Sequence, residues 1–162
     1  MNSSFNSNVL FVAGGTGGHI FPALSVYNLL GSFKKNIFFV TDQRGIKFKE
    51  LSEIKPLLIR VLGFEGKAVI KKFLSIFLIV IETFKAIIFI KKKNITIIVG
   101  FGSYVQVPFI LAGLILNKKV ILHEGNAVMG KANRLFWRYI KVRTSAYNLE
   151  NIYPGTIHVG MP

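Results

Sequence analysis

The chain has no cysteine and only one aspartate among its 162 residues, and each shortage excludes a class of site. Without cysteine there can be no disulfide, no thiolate zinc site and no cysteine nucleophile, which is typical of a protein that stays in a reducing compartment. Because Asp42 is the only aspartate, a metal site built from paired aspartates is excluded as well. We therefore expect neither a bound metal nor another cofactor.

Acidic residues in general are scarce, with seven Asp+Glu against 21 Lys+Arg and a formal charge of +14. So large an excess predicts an anionic partner, such as a phosphate group or an acidic lipid surface. The basic residues form no recognisable reading helix or aromatic platform, so we do not expect nucleic acid to be the partner. A general compositional bias toward lysine is the alternative explanation for part of the excess.

Two apolar stretches are long enough to imitate membrane spans. Residues 95–117 carry no charge, but glycines and a proline interrupt them, so a strand, a glycine loop and a helix are expected instead. The second stretch is a predicted helix over 69–90 that contains Glu82 and Lys85 near its middle. Each of these charges would cost about 2.5 to 3.5 kcal/mol at a bilayer centre. We expect this helix to lie on a membrane surface or in the core, with basic flanks at Lys67, Lys71, Lys72 and Lys91 to Lys93.

Short apolar runs alternate with helical patterns along the whole chain. This alternation predicts an α/β fold with a doubly wound, Rossmann-like parallel sheet, whose strands are buried on both faces. The predicted strands cover residues 9–13, 37–41, 57–61, 95–99, 120–123 and 142–146, and the predicted helices cover 21–33, 46–52, 69–90, 108–116 and 130–140. In such a sheet the loops after the first and fourth strands face each other, and ligands bind at that point.

The first of these loops reads Gly14-Gly15-Thr16-Gly17-Gly18-His19. Glycines let backbone amides approach a phosphate, and a following helix adds unpaired N–H donors. The loop lacks the Gly-Lys-Ser/Thr of a P-loop, and Ile20 stands where a dinucleotide-binding motif needs glycine. Asp42, at the end of the second strand, keeps a dinucleotide site open as an alternative, and a purely structural turn is another.

His19 follows this loop in the first turn of the predicted helix. The helix dipole should lower its pKa, so that it is neutral near pH 7 and can act as a general base toward a hydroxyl group. Capping or packing is the alternative role.

Two further polar segments follow the fourth and fifth strands. The loop Gly100-Phe101-Gly102-Ser103-Tyr104 can offer amides and hydroxyls to a second phosphate group, so the two glycine loops together suggest a diphosphate ligand. The segment from His123 through Glu124 and Asn126 to Asn133 gathers an acid and amides at the same edge, which suits sugar hydroxyls. A polar loop with a helix cap is the alternative there.

Together the segments 14–19, 100–104 and 123–133 resemble, in order and spacing, the three characteristic segments of the amino-terminal domain of the MurG glycosyltransferases. The resemblance covers nearly the whole chain. It implies a GT-B enzyme that transfers N-acetylglucosamine from UDP-N-acetylglucosamine to lipid I, with inversion and without a metal, at the cytoplasmic face of the bacterial inner membrane. Gly125 departs from the family, which usually has glutamine there.

The resemblance also implies roles for individual residues. Thr16, Gly17, Gly18 and Asn126 would contact the donor, and His19 would be the catalytic base, with Glu124 as the second catalytic candidate. The acceptor and its diphosphate would be held by Gly14, Gly15, Gly102, Ser103, Tyr104 and Asn133.

Residues 1–162 are thus expected to form one acceptor-binding domain, with the donor-binding carboxyl-terminal half supplied in cis or in trans. The expected partners are UDP-N-acetylglucosamine, lipid I, the anionic membrane surface and that second half. A non-catalytic membrane-docking subunit of a split glycosyltransferase is the alternative function.

Overall fold

The computed structural model describes residues 7–61 and 69–162, the side chains of residues 32 and 69–73 excepted. Its strands are β1 (Asn8–Val12), β2 (Ile37–Thr41), β3 (Leu57–Leu58), β4 (Ile95–Gly100), β5 (Lys119–Glu124), β6 (Val142–Ser145) and β7 (Ile157–His158). Its α-helices are α1 (Gly17–Leu29), α2 (Lys49–Glu53), α3 (Val69–Lys92), α4 (Gln106–Ile115) and α5 (Lys131–Phe136).

All seven strands are parallel and lie in the order β3-β2-β1-β4-β5-β6-β7. The chain therefore winds outward from β1 in both directions, as the predicted doubly wound fold requires. Strand β1 pairs with β2 on one side and with β4 on the other, with Val12 opposite Val40 and Gly100. The two glycine loops that follow β1 and β4 are consequently neighbours at the switch point.

The sheet is covered on both faces. Leu10 and Ile98 belong to a core that also contains Ile90 of α3 and Ile110 of α4, whereas Phe11 packs on the opposite face among residues of α1. Successive residues of a strand point to opposite faces, so the continuous apolar run of β1 supplies both cores.

The prediction that every strand is buried on both faces is wrong for β3 and β6. Leu57 and Leu58 of β3 are exposed, as is Val142 at the start of β6. Strand β3 is the sheet edge and pairs over only two residues, and β6 borders the two-residue edge strand β7. Apolar sequence alone does not distinguish a central strand from one near an edge, where less of the sheet is covered.

Helix α1 begins earlier than its sequence pattern indicates. It starts at Gly17 rather than at residue 21, so Gly17, Gly18 and His19 belong to its first turn and Pro22 lies inside it. Proline has no N–H to donate to the carbonyl four residues earlier, which is that of Gly18. The Gly18 carbonyl is therefore freed from the helical hydrogen-bond pattern.

Helix α3 packs against α4, and it buries polar side chains while it exposes large apolar ones. Ser75, Glu82 and Thr83 are buried together with Ile79 and Ile90. Large apolar side chains are exposed on the other side of the helix; we call Leu74, Ile76, Phe77, Val80, Phe84 and Ile88 the apolar stripe. Among the described residues, the alternative in which this helix is entirely core is therefore wrong.

The two charges near the middle of α3 form an ion pair. Glu82 faces the core and accepts a hydrogen bond from Lys85, 2.8 Å away, whose side chain is largely exposed. Lys91 to Lys93 at the end of the helix are exposed. The predicted flank at Lys67 and the side chains of Lys71 and Lys72 lie outside the described residues. No helix in the described part of the chain has the length and apolar character to cross a bilayer.

Candidate active site

Three loops meet beyond the carboxyl ends of the central strands. We call residues 13–16 loop 1, residues 101–105 loop 2 and residues 125–130 loop 3. Loop 2 is joined to β1 directly, since the Phe101 amide donates to the Val12 carbonyl over 3.0 Å. The loops enclose a pocket of about 220 Å³, lined by Gly15, Thr16, His19, Arg44, Gly102, Ser103, Tyr104, Glu124, Gly130, Lys131, Ala132 and Asn133.

Most of the residues predicted for the site line this pocket. Among them are His19 and Glu124, and the predicted acceptor residues Gly15, Gly102, Ser103, Tyr104 and Asn133. Of the predicted donor residues, Thr16 lines the pocket, whereas Gly17, Gly18 and Asn126 do not. Gly14 is buried beneath it. The structure therefore separates the predicted contacts into a pocket and its outer rim.

The His19 imidazole is held by a hydrogen bond to loop 1. Its Nδ1 lies 3.1 Å from the Gly14 carbonyl oxygen. A carbonyl can only accept, so Nδ1 carries the proton and Nε2 is the basic nitrogen. Burial lowers the pKa of His19 below its ordinary value, although the hydrogen bond to Gly14 and the charge of Glu124 act in the opposite direction. The predicted direction is confirmed, but the main cause is burial rather than the helix dipole.

Loop 2 closes over the same ring. Gly102 has a φ of +108°, and a Cβ at this position would collide with the His19 imidazole and lie 2.7 Å from Nε2. Only glycine satisfies both conditions, since a side chain is strained by the backbone and excluded by the contact. Nε2 therefore faces the backbone of loop 2 at the wall of the pocket.

At the outer rim of the pocket, loop 3 lies beside the first turn of α1. The Gly18 carbonyl, which has no helical donor because of Pro22, is 3.2 Å from the position that a Cβ on Gly125 would occupy. Gly125 thus brings loop 3 close to the start of α1. Gly18 and Asn126 are both exposed there, next to amides of the first helical turn that have no intrahelical acceptor.

Glu124 organises loop 3. Its Oε1 accepts hydrogen bonds from the backbone and side-chain amides of Asn126, at 2.9 and 2.7 Å. Its Oε2 accepts from the Gly130 amide at 2.8 Å and from Asn133 at 2.9 Å. The carboxylate is buried and accepts four hydrogen bonds, so its geometry favours a positioning role and an electrostatic effect on His19 over proton transfer.

Comparisons with known proteins show the family to which the chain belongs. The model of the "Glycosyltransferase family 28 N-terminal domain" matches residues 9–144. The chain belongs to glycosyltransferase family 28. Its curated relatives include the UDP-N-acetylglucosamine--N-acetylmuramyl-(pentapeptide) pyrophosphoryl-undecaprenol N-acetylglucosamine transferase of Francisella tularensis subsp. holarctica, 34% identical over 91% of this chain and 40% of the relative. The enzyme of the same name from Prochlorococcus marinus is 40% identical over 82% of this chain and 37% of the relative.

A solved relative shows the same fold. The crystal structure of Acinetobacter baumannii MurG matches with a TM-score of 0.75 and 30% identity, covering 96% of this chain and 46% of that one. This family 28 chain therefore spans about two fifths of the length of the curated relatives it matches.

An ion pair beside loop 1 adds a cation that the sequence interpretation missed. Asp42 accepts hydrogen bonds from the amides of Gly15 and Gly45, at 3.1 and 2.9 Å, and pairs with the Arg44 guanidinium at 2.8 Å. Burial opposes ionisation of Asp42, but these hydrogen bonds outweigh it and hold the pKa of the carboxyl below its ordinary value. Arg44 lines the pocket of this family 28 domain, and its side chain is 64% exposed.

The same pair leaves Asp42 with a structural role. Both of its carboxylate oxygens are taken up by loop amides and Arg44. The site therefore gives no support to the dinucleotide alternative, in which this carboxylate binds a ribose. The signal for Arg44 was its place three residues after β2, because β2 borders the strand that leads into loop 1.

His123 is the one titratable member of the third polar segment that points away from the pocket. It precedes Glu124 on β5, and neighbouring strand residues point to opposite faces of a sheet. Its Nδ1 lies 3.1 Å from Thr144 Oγ1, its ring packs beside Phe101, and burial lowers its pKa. Sequence proximity to Glu124 therefore does not make His123 part of the site.

Proposed function

We propose that this chain forms the acceptor-binding half of an enzyme that transfers N-acetylglucosamine from UDP-N-acetylglucosamine to lipid I, giving lipid II. The observation that carries the proposal is the pocket in which His19, with Nε2 as its basic nitrogen, lies between the two glycine loops and the Arg44 cation. The names of the curated relatives support this choice of donor and acceptor.

In the proposed reaction His19 removes a proton from the C4 hydroxyl of the muramoyl sugar. The resulting oxygen attacks the anomeric carbon of the donor sugar from the face opposite UDP, so the bond to UDP breaks and the configuration inverts. Nδ1 keeps its hydrogen bond to Gly14 throughout, and Nε2 carries the transferred proton as UDP leaves. Glu124 then favours the protonated imidazole through its negative charge.

The acceptor diphosphate would lie across loops 1 and 2. The Ser103 and Tyr104 hydroxyls supply hydrogen-bond donors there. Gly15 and Gly102 line the same pocket without side chains, and their own amides already donate to Asp42 and Gln106. Arg44 offers a planar guanidinium, whose geometry matches phosphate oxygens. We propose that no divalent metal takes part, since the one aspartate is already bound to Arg44 and to loop amides.

The donor would approach from the outer rim, against a second domain. Thr16, Gly18 and Asn126 are exposed there, and Gly17 belongs to the same helical turn. These residues contact only the sugar side of the donor in this proposal, so the uridine must be bound by a carboxyl-terminal half in cis or in trans.

A membrane surface would bring the lipid-linked acceptor to the pocket. The apolar stripe of α3 and the exposed Lys91 to Lys93 are the features of a helix that lies in the interface with its basic end over anionic head groups. We propose peripheral binding to the cytoplasmic face of the inner membrane, and no nucleic acid as partner. The same surface is the observation that favours a non-catalytic docking subunit as the second candidate function.

The test is a transfer assay with labelled UDP-N-acetylglucosamine and a short-chain lipid I analogue. We expect almost no product from this chain alone and clear product when it is fused to the carboxyl-terminal half of the Acinetobacter baumannii relative. Full-length MurG from that organism serves as the positive control. A folded fusion without activity would contradict the enzyme proposal and favour the docking function. Activity that survives His19→Ala would exclude His19 as the base.

A further inference from the structure

A line of buried amide and carboxylate groups connects loop 2 with loop 3 beneath the pocket. Its members are Gln106 at the start of α4, Asn133 on α5 and Glu124 at the end of β5. Their exposed fractions are 0%, 2% and 2%. Polar side chains so deeply buried are retained only when their hydrogen bonds are satisfied.

Each member of this line donates to or accepts from the next. The Gly102 amide donates to Gln106 Oε1 over 3.0 Å, and Gln106 Nε2 donates to Asn133 Oδ1 over 2.6 Å. Asn133 Nδ2 then donates to Glu124 Oε2 over 2.9 Å. Glu124 in turn holds the Asn126 and Gly130 amides of loop 3. The connection is continuous from one loop to the other.

The space around Gln106 shows that the backbone is adapted to this side chain. A Cβ on Gly100 would collide with Gln106 Oε1, so the last residue of β4 must be glycine for the glutamine to fit. On the other side, Gln106 holds Gly102, whose backbone lies against the His19 ring. The position of the glutamine amide thus determines how closely loop 2 approaches His19.

We propose that Gln106 is a positioning residue that holds loop 2 against His19 and couples it to loop 3 through Asn133 and Glu124. The catalytic meaning of this coupling rests on the proposed function of His19. The coupling itself does not, because it is a property of the folded chain. Its physical basis is that removing the glutamine amide leaves two buried partners, the Gly102 amide and Asn133 Oδ1, without hydrogen bonds.

The test is amide hydrogen exchange, measured by NMR at neutral pH on this chain carrying Gln106→Leu or Gln106→Glu. Leucine removes both hydrogen bonds of the side chain. Glutamate keeps an acceptor for Gly102 but has no donor for Asn133. If Asn133 turns its amide toward the glutamate, its oxygen faces Glu124, so the link to loop 3 is weakened in either orientation.

With Gln106→Leu we expect exchange at Gly102, Asn126 and Gly130 to accelerate roughly tenfold or more, the scale of one lost hydrogen bond. With Gln106→Glu we expect Gly102 to stay protected while Asn126 and Gly130 accelerate. Ile110→Val is the matched control, because it loosens the buried part of the same helix without touching the hydrogen-bonded line.

Acceleration confined to Gly102 in the leucine variant would overturn the proposal, since Gln106 would then be only a local cap for loop 2. Equal acceleration in the Ile110→Val control would overturn it too, because general loosening would explain the result. The readout needs no transfer activity, so a failure here is distinguishable from a failure of the proposed function.

Discussion

The proposed binding of α3 to an anionic membrane can be separated into an apolar part and an electrostatic part. Phe77 and Phe84 are 61% and 66% exposed in the apolar stripe. Phenylalanine presents roughly 200 Å², so the two rings expose about 250 Å² to solvent. At about 25 cal/mol per Å² and with roughly half of that area inserted, Phe77→Ser with Phe84→Ser should cost about 3 kcal/mol of membrane affinity. This is roughly a hundredfold in the partition coefficient.

The electrostatic part should be of similar size at low salt. Lys91 to Lys93 contribute on the order of 1 kcal/mol each near an anionic surface, so replacing all three by glutamine should also weaken binding roughly a hundredfold. Salt distinguishes the two parts. At about 1 M salt the Debye length is ~3 Å, so the lysine contribution should largely vanish, whereas the phenylalanine contribution should remain.

Flotation with phosphatidylglycerol vesicles measures both parts. Leu29→Ser is the matched apolar control, because Leu29 is 83% exposed on α1, which covers the opposite face of the sheet. Replacing Lys35, Lys47 and Lys49 by glutamine removes the same charge from exposed positions outside α3. If the folded chain ignores the vesicles at low salt, or if the control variants lose as much binding as the α3 variants, the reasoning is refuted.

Three further predictions concern the pocket and the ion pair beside it. In the fused enzyme, His19→Ala should lower turnover by roughly 10²-fold, which is the scale of a lost general base. Thermal stability should change little. A loss of turnover below about threefold would indicate that His19 has a capping role. Because the pKa of His19 is lowered, wild-type kcat/KM should hold its neutral-pH value to more acidic pH than an ordinary histidine allows, and fall as pH drops through that pKa. Asp42→Asn should destabilise the chain by about 2 kcal/mol at pH 7, the scale of charged hydrogen bonds. The pKa of Asp42 is depressed in the folded chain, so its stabilisation is present above the unfolded pKa of about 3.9 and is lost as pH falls through the folded pKa. The difference in melting temperature between wild type and Asp42→Asn should therefore shrink in acid. A difference that stays the same across this pH range would contradict the prediction.

Much of the fold could be predicted from local patterns. The alternation of apolar runs and helical segments predicted all six strands from β1 to β6 and all five helices, because the sequence period reports which faces are buried. The missed strand was β7, since Ile157–His158 pairs over only two residues and has no local pattern of its own. The early start of α1 was missed because two glycines and an internal proline obscure its first turns.

Much of the candidate site was also predictable, for a physical reason. In a parallel sheet the loops after β1, β4 and β5 must lie at one edge, so residues such as His19, Gly102 and Glu124 could be brought together before their distances were known. What each of them does there depends on distances and hydrogen-bond partners. Only the structure shows that Gly14 holds Nδ1 of His19 and that Glu124 is committed to loop 3.

The sequence by itself thus determined the order of the elements, the glycine loops and the identity of the chemical groups at one edge, because these follow from periodicity and residue type. Tertiary structure decided the roles of Arg44 and Gln106, which depend on residues distant in the chain: Arg44 lies beside Gly15, and Gln106 binds Asn133. It also decided which side of α3 is exposed. Polar residues do not mark the exposed side of this helix, because Glu82 is buried whereas Phe77 and Phe84 are exposed. The buried side is selected by packing against α4 and the sheet.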